Sequence, residues 1–506
     1  MADTWEELNR KTIDRLNEGN YAAAMKTARL ALERAKGVGD REQLAVSLNN
    51  LGAVCQAAGE TEKAEETLLR YRTLCGEVYG PAAQDEKTAA ADYDLAVLYA
   101  GLGRWEEAEP LFRQNAADWE AQGNRFESGR ALAGCAECMK ARDAVNEARA
   151  AMEQAAERML PSEGERPDLE LGEVLIRLAE MYQQAGQLEN AGDQLRGAVK
   201  VYEETVGPGH PVFAETLGLL AENYAHRGGR QAAEPLFEQS IDMMQEALGK
   251  DHPAAAQQQE RLAHLYIADG QNEKAENLLR QVVKAYKKAY DGKSLDLARA
   301  RNDLAECYLA RGKLDDARPL IEAALSTREA ALGEEHPATA QSLNDMAVLL
   351  ESEGKFRESG EYHERALAIR RKAFGERHVA VTQSLENLAA VYQQLGRLGE
   401  AEDLLRESLS IWEEAVGENH PATAQACFAL ATVLFLRVKY REAERVLHRV
   451  EKILKDNLGP DSENLAAVYK ALGSVNEKLG KEEETRKYAM LFGNLLKKNK
   501  DKNLKI

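Results

Sequence analysis

The stretch SLENLAAVYQQLGRLGEAEDLLRESL, residues 384–409, decides how this chain folds. Leu388 and Ala389 close a first apolar pattern at helical spacing. Gly396 interrupts it, and Ala401, Leu404, Leu405 and Ser408 then open a second stripe that continues through Ile411 and Trp412. A Gly between two helical patterns ends the first helix, because Gly enters the left-handed cap conformation without strain. The small residue five positions later sits early in the second helix and lets the two helices approach closely. The unit is a helical hairpin.

The same Gly/small pair returns as Gly186/Ala191, Gly228/Ala233, Gly270/Ala275, Gly312/Ala317 and Gly354/Ser359, and runs on as Val438/Ala443 and Gly480/Thr485, always in steps of 42. Upstream, Gly19/Ala24, Gly59/Ala64, Gly103/Ala108 and Asp143/Ala148 continue the series at uneven steps of 40 to 44, giving about twelve helix-turn-helix units. A fixed period of this length signals stacked repeats. A second punctuation joins the units: Gly207, Gly249, Gly333, Gly375, Gly417 and Gly459 recur, with Asp291 filling the gap. Three residues after each come His210, His252, Ser294, His336, His378, His420 and Ser462, often followed by Pro. Pro belongs at the first helical position, which makes the His and Ser residues N-caps.

Composition narrows the function classes. With 506 residues, 44% hydrophobic, 30% charged and a net charge of -19, the chain is too apolar to be disordered and too acidic to favour nucleic acid. The longest apolar run, 428–436, has nine residues, short of the ~20 that span a bilayer. Six cysteines are too sparse for a disulfide framework, so a reducing cytoplasmic setting is expected.

The hairpins, seen best in NDLAECYLARGKLDDARPLIEAAL (302–325) and 384–409, resemble tetratricopeptide repeats. The 42-residue form with its Leu-Gly-x-x-His-Pro connector looks like the repeats of kinesin light chains. The resemblance implies an all-α superhelix, a tetratricopeptide solenoid, whose first helices line a concave binding face. The expected layout is four irregular units over 1–160, a Pro-containing break at 161–167, eight regular units over 168–494 and a basic tail at 495–506.

Repeats fill the chain and leave no room for a catalytic domain. No cofactor motif is present. The periodic histidines lie too far apart to share a metal, since packed helices stand roughly 8–10 Å from one another. Cys135 and Cys138 are expected to act as core residues. The reading is therefore a non-catalytic scaffold that binds proteins or peptides, with no cofactor, metal, nucleic acid or membrane partner. The alternatives are a regulatory subunit or hydrolase using groove Glu and His residues, and a self-assembling array. Helical phase places Glu222, His264, Glu306 and Glu386 on the concave face as part of an acidic channel suited to basic segments. Asn49, Asn302 and Asn344 occupy one equivalent site there, and the resemblance implies contact with a peptide backbone. Phe428, Phe435 and Leu436 replace polar residues of neighbouring units and mark a candidate docking patch, unless the following helix covers them.

Overall fold

The computed structural model describes residues 3–82, 85–162, 164–290, 294–460 and 462–503, with side chains described through 497. All its regular elements are helices, twenty-four in number among the described residues. They form two compact units whose boundary in sequence falls between Gly249 and Lys250. The first unit runs from α1 (Trp5–Asn17) to α12 (Arg230–Leu248), and the second from α13 (Pro253–Ala268) to α24 (Glu482–Asn503).

Within each unit every helix packs on the next, so each hairpin is flanked by its neighbours. Across 161–167, α8 (Val145–Met159) packs on α9 (Leu169–Gln184) inside the first unit. Successive first helices also approach one another: α1 meets α3 (Arg41–Ala57), and α15 (Leu295–Ala310) meets α17 (Pro337–Ser352). That closeness puts the first helices on the tighter side of each stack. Within each hairpin the small residues of the turn motif let the second helix lie close to the first: Ala191, Ala275, Ala317, Ala401 and Ala443 are completely buried.

The caps follow the sequence. Nδ1 of His210, His252, His336, His378 and His420 accepts from the backbone N–H two residues on, at 3.1 to 3.2 Å. Ser294 accepts from Leu297 N–H at 3.0 Å. Ser462 departs from the pattern. The helix after it, α23 (Leu465–Lys478), starts late behind Asn464 and has no side-chain cap, because residues 463–464 form a turn first. Asp291 lies outside the described residues. The last helix does not stop where the basic tail was expected to begin but continues to Asn503.

Val438 holds the turn position that Gly fills in its neighbours, at φ 62°, and is 67% exposed. A β-branched residue there is strained, by roughly 1–2 kcal/mol. V438G is expected to raise the unfolding free energy of the second unit by about 1 kcal/mol, measured by urea denaturation; an unchanged or lower value counts against the strain.

Two nearly buried carboxylates fasten the second helices to the following turn. Glu276 binds Arg280, Arg311 and Lys313, and Glu402, on α20 (Leu398–Val416), binds Arg406, Arg437 and Lys439. Burial alone would raise the Glu402 carboxyl, but hydrogen bonds from Lys439, Arg406 and Arg437 prevail and hold it at about 2, below the ordinary 4.5. A depressed carboxyl stabilises the fold above its unfolded value and loses that effect as pH falls towards its folded one. E402Q should therefore cost about 2 kcal/mol near neutrality, with the difference from wild type shrinking between pH 4.5 and 2, as thermal melts across that range would report.

Candidate functional site

The first helices of the second unit are joined by a column of polar pairs, each linking a residue to one 43 positions on. Asn302 Nδ2 donates to Asp345 and, at 3.2 Å, to Ser342 Oγ. Asn387, on α19 (Val379–Gln394), donates to Asn344 Oδ1 at 2.6 Å. The first unit repeats the device: Asn50 Nδ2 donates to Asn9 Oδ1 at 2.8 Å. Asn302 and Asn344 are consequently buried, 7% and 6% exposed, with their amides turned toward the next helix rather than the groove. Asn49 is half-buried beside Asn50. The placement expected for peptide contact is thus not what the fold gives the two buried asparagines, because inter-helix bonding takes their side chains.

The acidic face is likewise partly folded inward. Glu386 accepts from Ser408 Oγ at 2.7 Å and Trp412 Nε1 at 3.3 Å, both in its own hairpin. Glu260 is buried and takes two bonds from Arg299, at 2.9 and 3.0 Å. Glu222 is half-buried. Glu306 and Glu477 remain exposed on the first helices of the second unit. His264 is exposed on α13, and its Nε2 lies 2.8 Å from Asp303 Oδ2 on α15. That hydrogen bond, against the opposing effect of burial, raises the His264 imidazolium above its usual range. Asp303, Asp345 and Asn387 went unnoticed in the sequence. Their signal was available as a second polar column one residue after the asparagines.

The polar column ends before α21 (Pro421–Leu436). Where earlier pairs read Asn302/Asp345 and Asn344/Asn387, the α19–α21 junction reads Glu386/Ala429 and the junction between α21 and α23 reads Phe428/Ala471. Ala467 similarly stands where Arg299, Gln341, Gln383 and Gln425 stand in other first helices. An aromatic ring facing two truncated side chains cannot fill the gap between α21 and α23. A cavity of about 310 Å³ results, walled by Phe428, Thr432, Phe435, Ala467, Lys470 and Ala471 and floored by Leu447 from α22 (Tyr440–Leu458). A second cavity, of about 730 Å³, shares Phe428 and Ala467 and extends toward Leu454 and Leu458. Phe428 and Phe435 are half-buried, Phe435 against Tyr440 at 5.3 Å between ring centres, and they give the notch on the first-helix face its apolar wall. Leu436, 44% exposed, lines neither cavity.

Cys135 and Cys138 are buried, and burial pushes the Cys138 thiol up to about 11, leaving it a packing residue. No helix among the described residues is long and apolar enough to cross a membrane.

The stacked hairpins define the class: residues 11–76, 170–288 and 296–456 match the tetratricopeptide repeat family in overlapping blocks, and 89–114 match it separately. The chain belongs to that family. No curated protein matches it in sequence. Among solved structures, it is similar to the nearly identical TPR-like repeats of a Podosopora anserina protein of the kinesin light chain type, at 30% identity over 40% of this chain and 94% of that one, TM-score 0.36. It is similar also to BtubC from P. vanneervenii, at 25% identity over 46% and 91%, TM-score 0.39. Yeast Tom70 aligns over 95% and 96% at 13% identity, TM-score 0.44.

The buried pairs give a test of their own. N344A leaves the Asn387 amide without its partner and should cost about 1–3 kcal/mol of stability, read by denaturant titration; a neutral effect would mean the amide pair does not hold the helices together.

Proposed function

We propose that this protein is a non-catalytic cytoplasmic scaffold that binds peptides or partner proteins on the first-helix face of its second unit. The observation that supports it is the apolar notch between α21 and α23, where Ala467 stands in place of the Arg or Gln of other repeats and Ala471 in place of the Asp or Asn of three of them. A bulky apolar side chain from an extended segment fills such a space and releases water from Phe428 and Phe435. The net charge of -19 and the exposed Glu306 and Glu477 favour partners with basic residues beside that anchor.

Ala467 is exposed, so A467L fills the notch without disturbing the core. Panning a random peptide display library on the wild-type chain should yield binders with a large apolar residue, and A467L should weaken them at least about tenfold, the equivalent of one well-buried side chain. Binders that ignore A467L, or an absence of binders, would remove the notch from the reading.

A further inference from the structure

We propose that the second unit also carries a divalent transition-metal site built from Glu260, His264 and Asp303. One ligand atom from each lies within 4.8 Å of the other two. An imidazole with two carboxylates suits Zn²⁺ and its first-row neighbours. Glu260 and His264 stand one turn apart on α13 and Asp303 stands on α15, so rigid helices supply all three. Metal bonds of about 2.0–2.2 Å place tetrahedral ligand atoms roughly 3.3 Å apart. The 2.8 Å His264–Asp303 contact therefore needs to open only slightly. The His264 side chain is 50% exposed, which leaves a way in and an open coordination position for water.

Charge supplies an independent argument. Glu260, Asp296, Asp303 and Glu306 gather around the Arg299 guanidinium and the His264 ring, with Arg328 also near Asp303, so carboxylates outnumber these cations. Burial and the neighbouring Asp303 charge hold Glu306 above the usual carboxyl range, as expected where anions are crowded. A divalent ion corrects that imbalance. Arg299 is the resident cation on Glu260, and Asp296, 3.2 Å from its Nη2, can retain it when metal takes the Glu260 oxygens. Tyr286 Oη donates to Glu260 Oε2 at 3.2 Å, which orients the carboxylate from behind. His264 lies outside the periodic capping histidines, whose Nδ1 atoms are committed to backbone.

Titrating the full chain with Co²⁺ tests the assignment. A visible d–d band should saturate at stoichiometric metal and be displaced by Zn²⁺. H264A and D303N should each weaken binding at least about tenfold, as loss of a ligand requires. R299Q, which removes the competing cation, should tighten it several-fold, a change that an adventitious surface histidine would not show. No band in either wild type or R299Q, or undiminished binding by H264A, overturns the proposal. Circular dichroism checks that the ligand variants fold; if they do not, the response of R299Q alone decides.

Discussion

No hairpin in this chain can bury its own apolar surface. Each has a stripe on both flanks, and only a neighbour placed at close range covers it. The close range is the decisive constraint. It depends on alanines such as Ala275, Ala317 and Ala401, which have no accessible surface at all, and on the left-handed turn that folds each pair back. Once that approach is fixed, the first helices stand near enough for side chains to span the gap between them. The polar columns, the carboxylate clusters and the notch are all consequences of that spacing.

Buried amides in those columns do more than fill space. A pair such as Asn344 and Asn387 is satisfied in only one sliding register of the two helices. Leucines alone would tolerate several. Glu276 and Glu402 act similarly among the second helices, where each reaches two cations on the following turn as well as one on its own helix. The protein therefore fixes part of its repeats by polar contacts on both layers, and the first-helix rungs stop after α19.

The architecture was legible because its signals are local and repeated: Gly396 and its equivalents, the His-Pro caps, the small residue five positions on. Side-chain direction was not. Asn302 and Asp303 are adjacent in sequence but point about 100° apart around a helix, and small errors of phase exchange groove for interface. Glu386 turned inward because Ser408 and Trp412 lie opposite it, a fact that only the packed hairpin contains. Phe428 was visible as an oddity. Its meaning required comparison with Ala471, the partner 43 residues away, and the same comparison would have exposed the polar columns.

The missing polar link between α21 and α23 has a mechanical side. At α15–α17 and α17–α19 a built-in rung joins neighbouring first helices; here the rung is absent and the floor is soft aliphatic carbon. On the proposed binding role, a guest side chain filling that space would take the place of the keystone. Occupancy and local curvature would then be one variable.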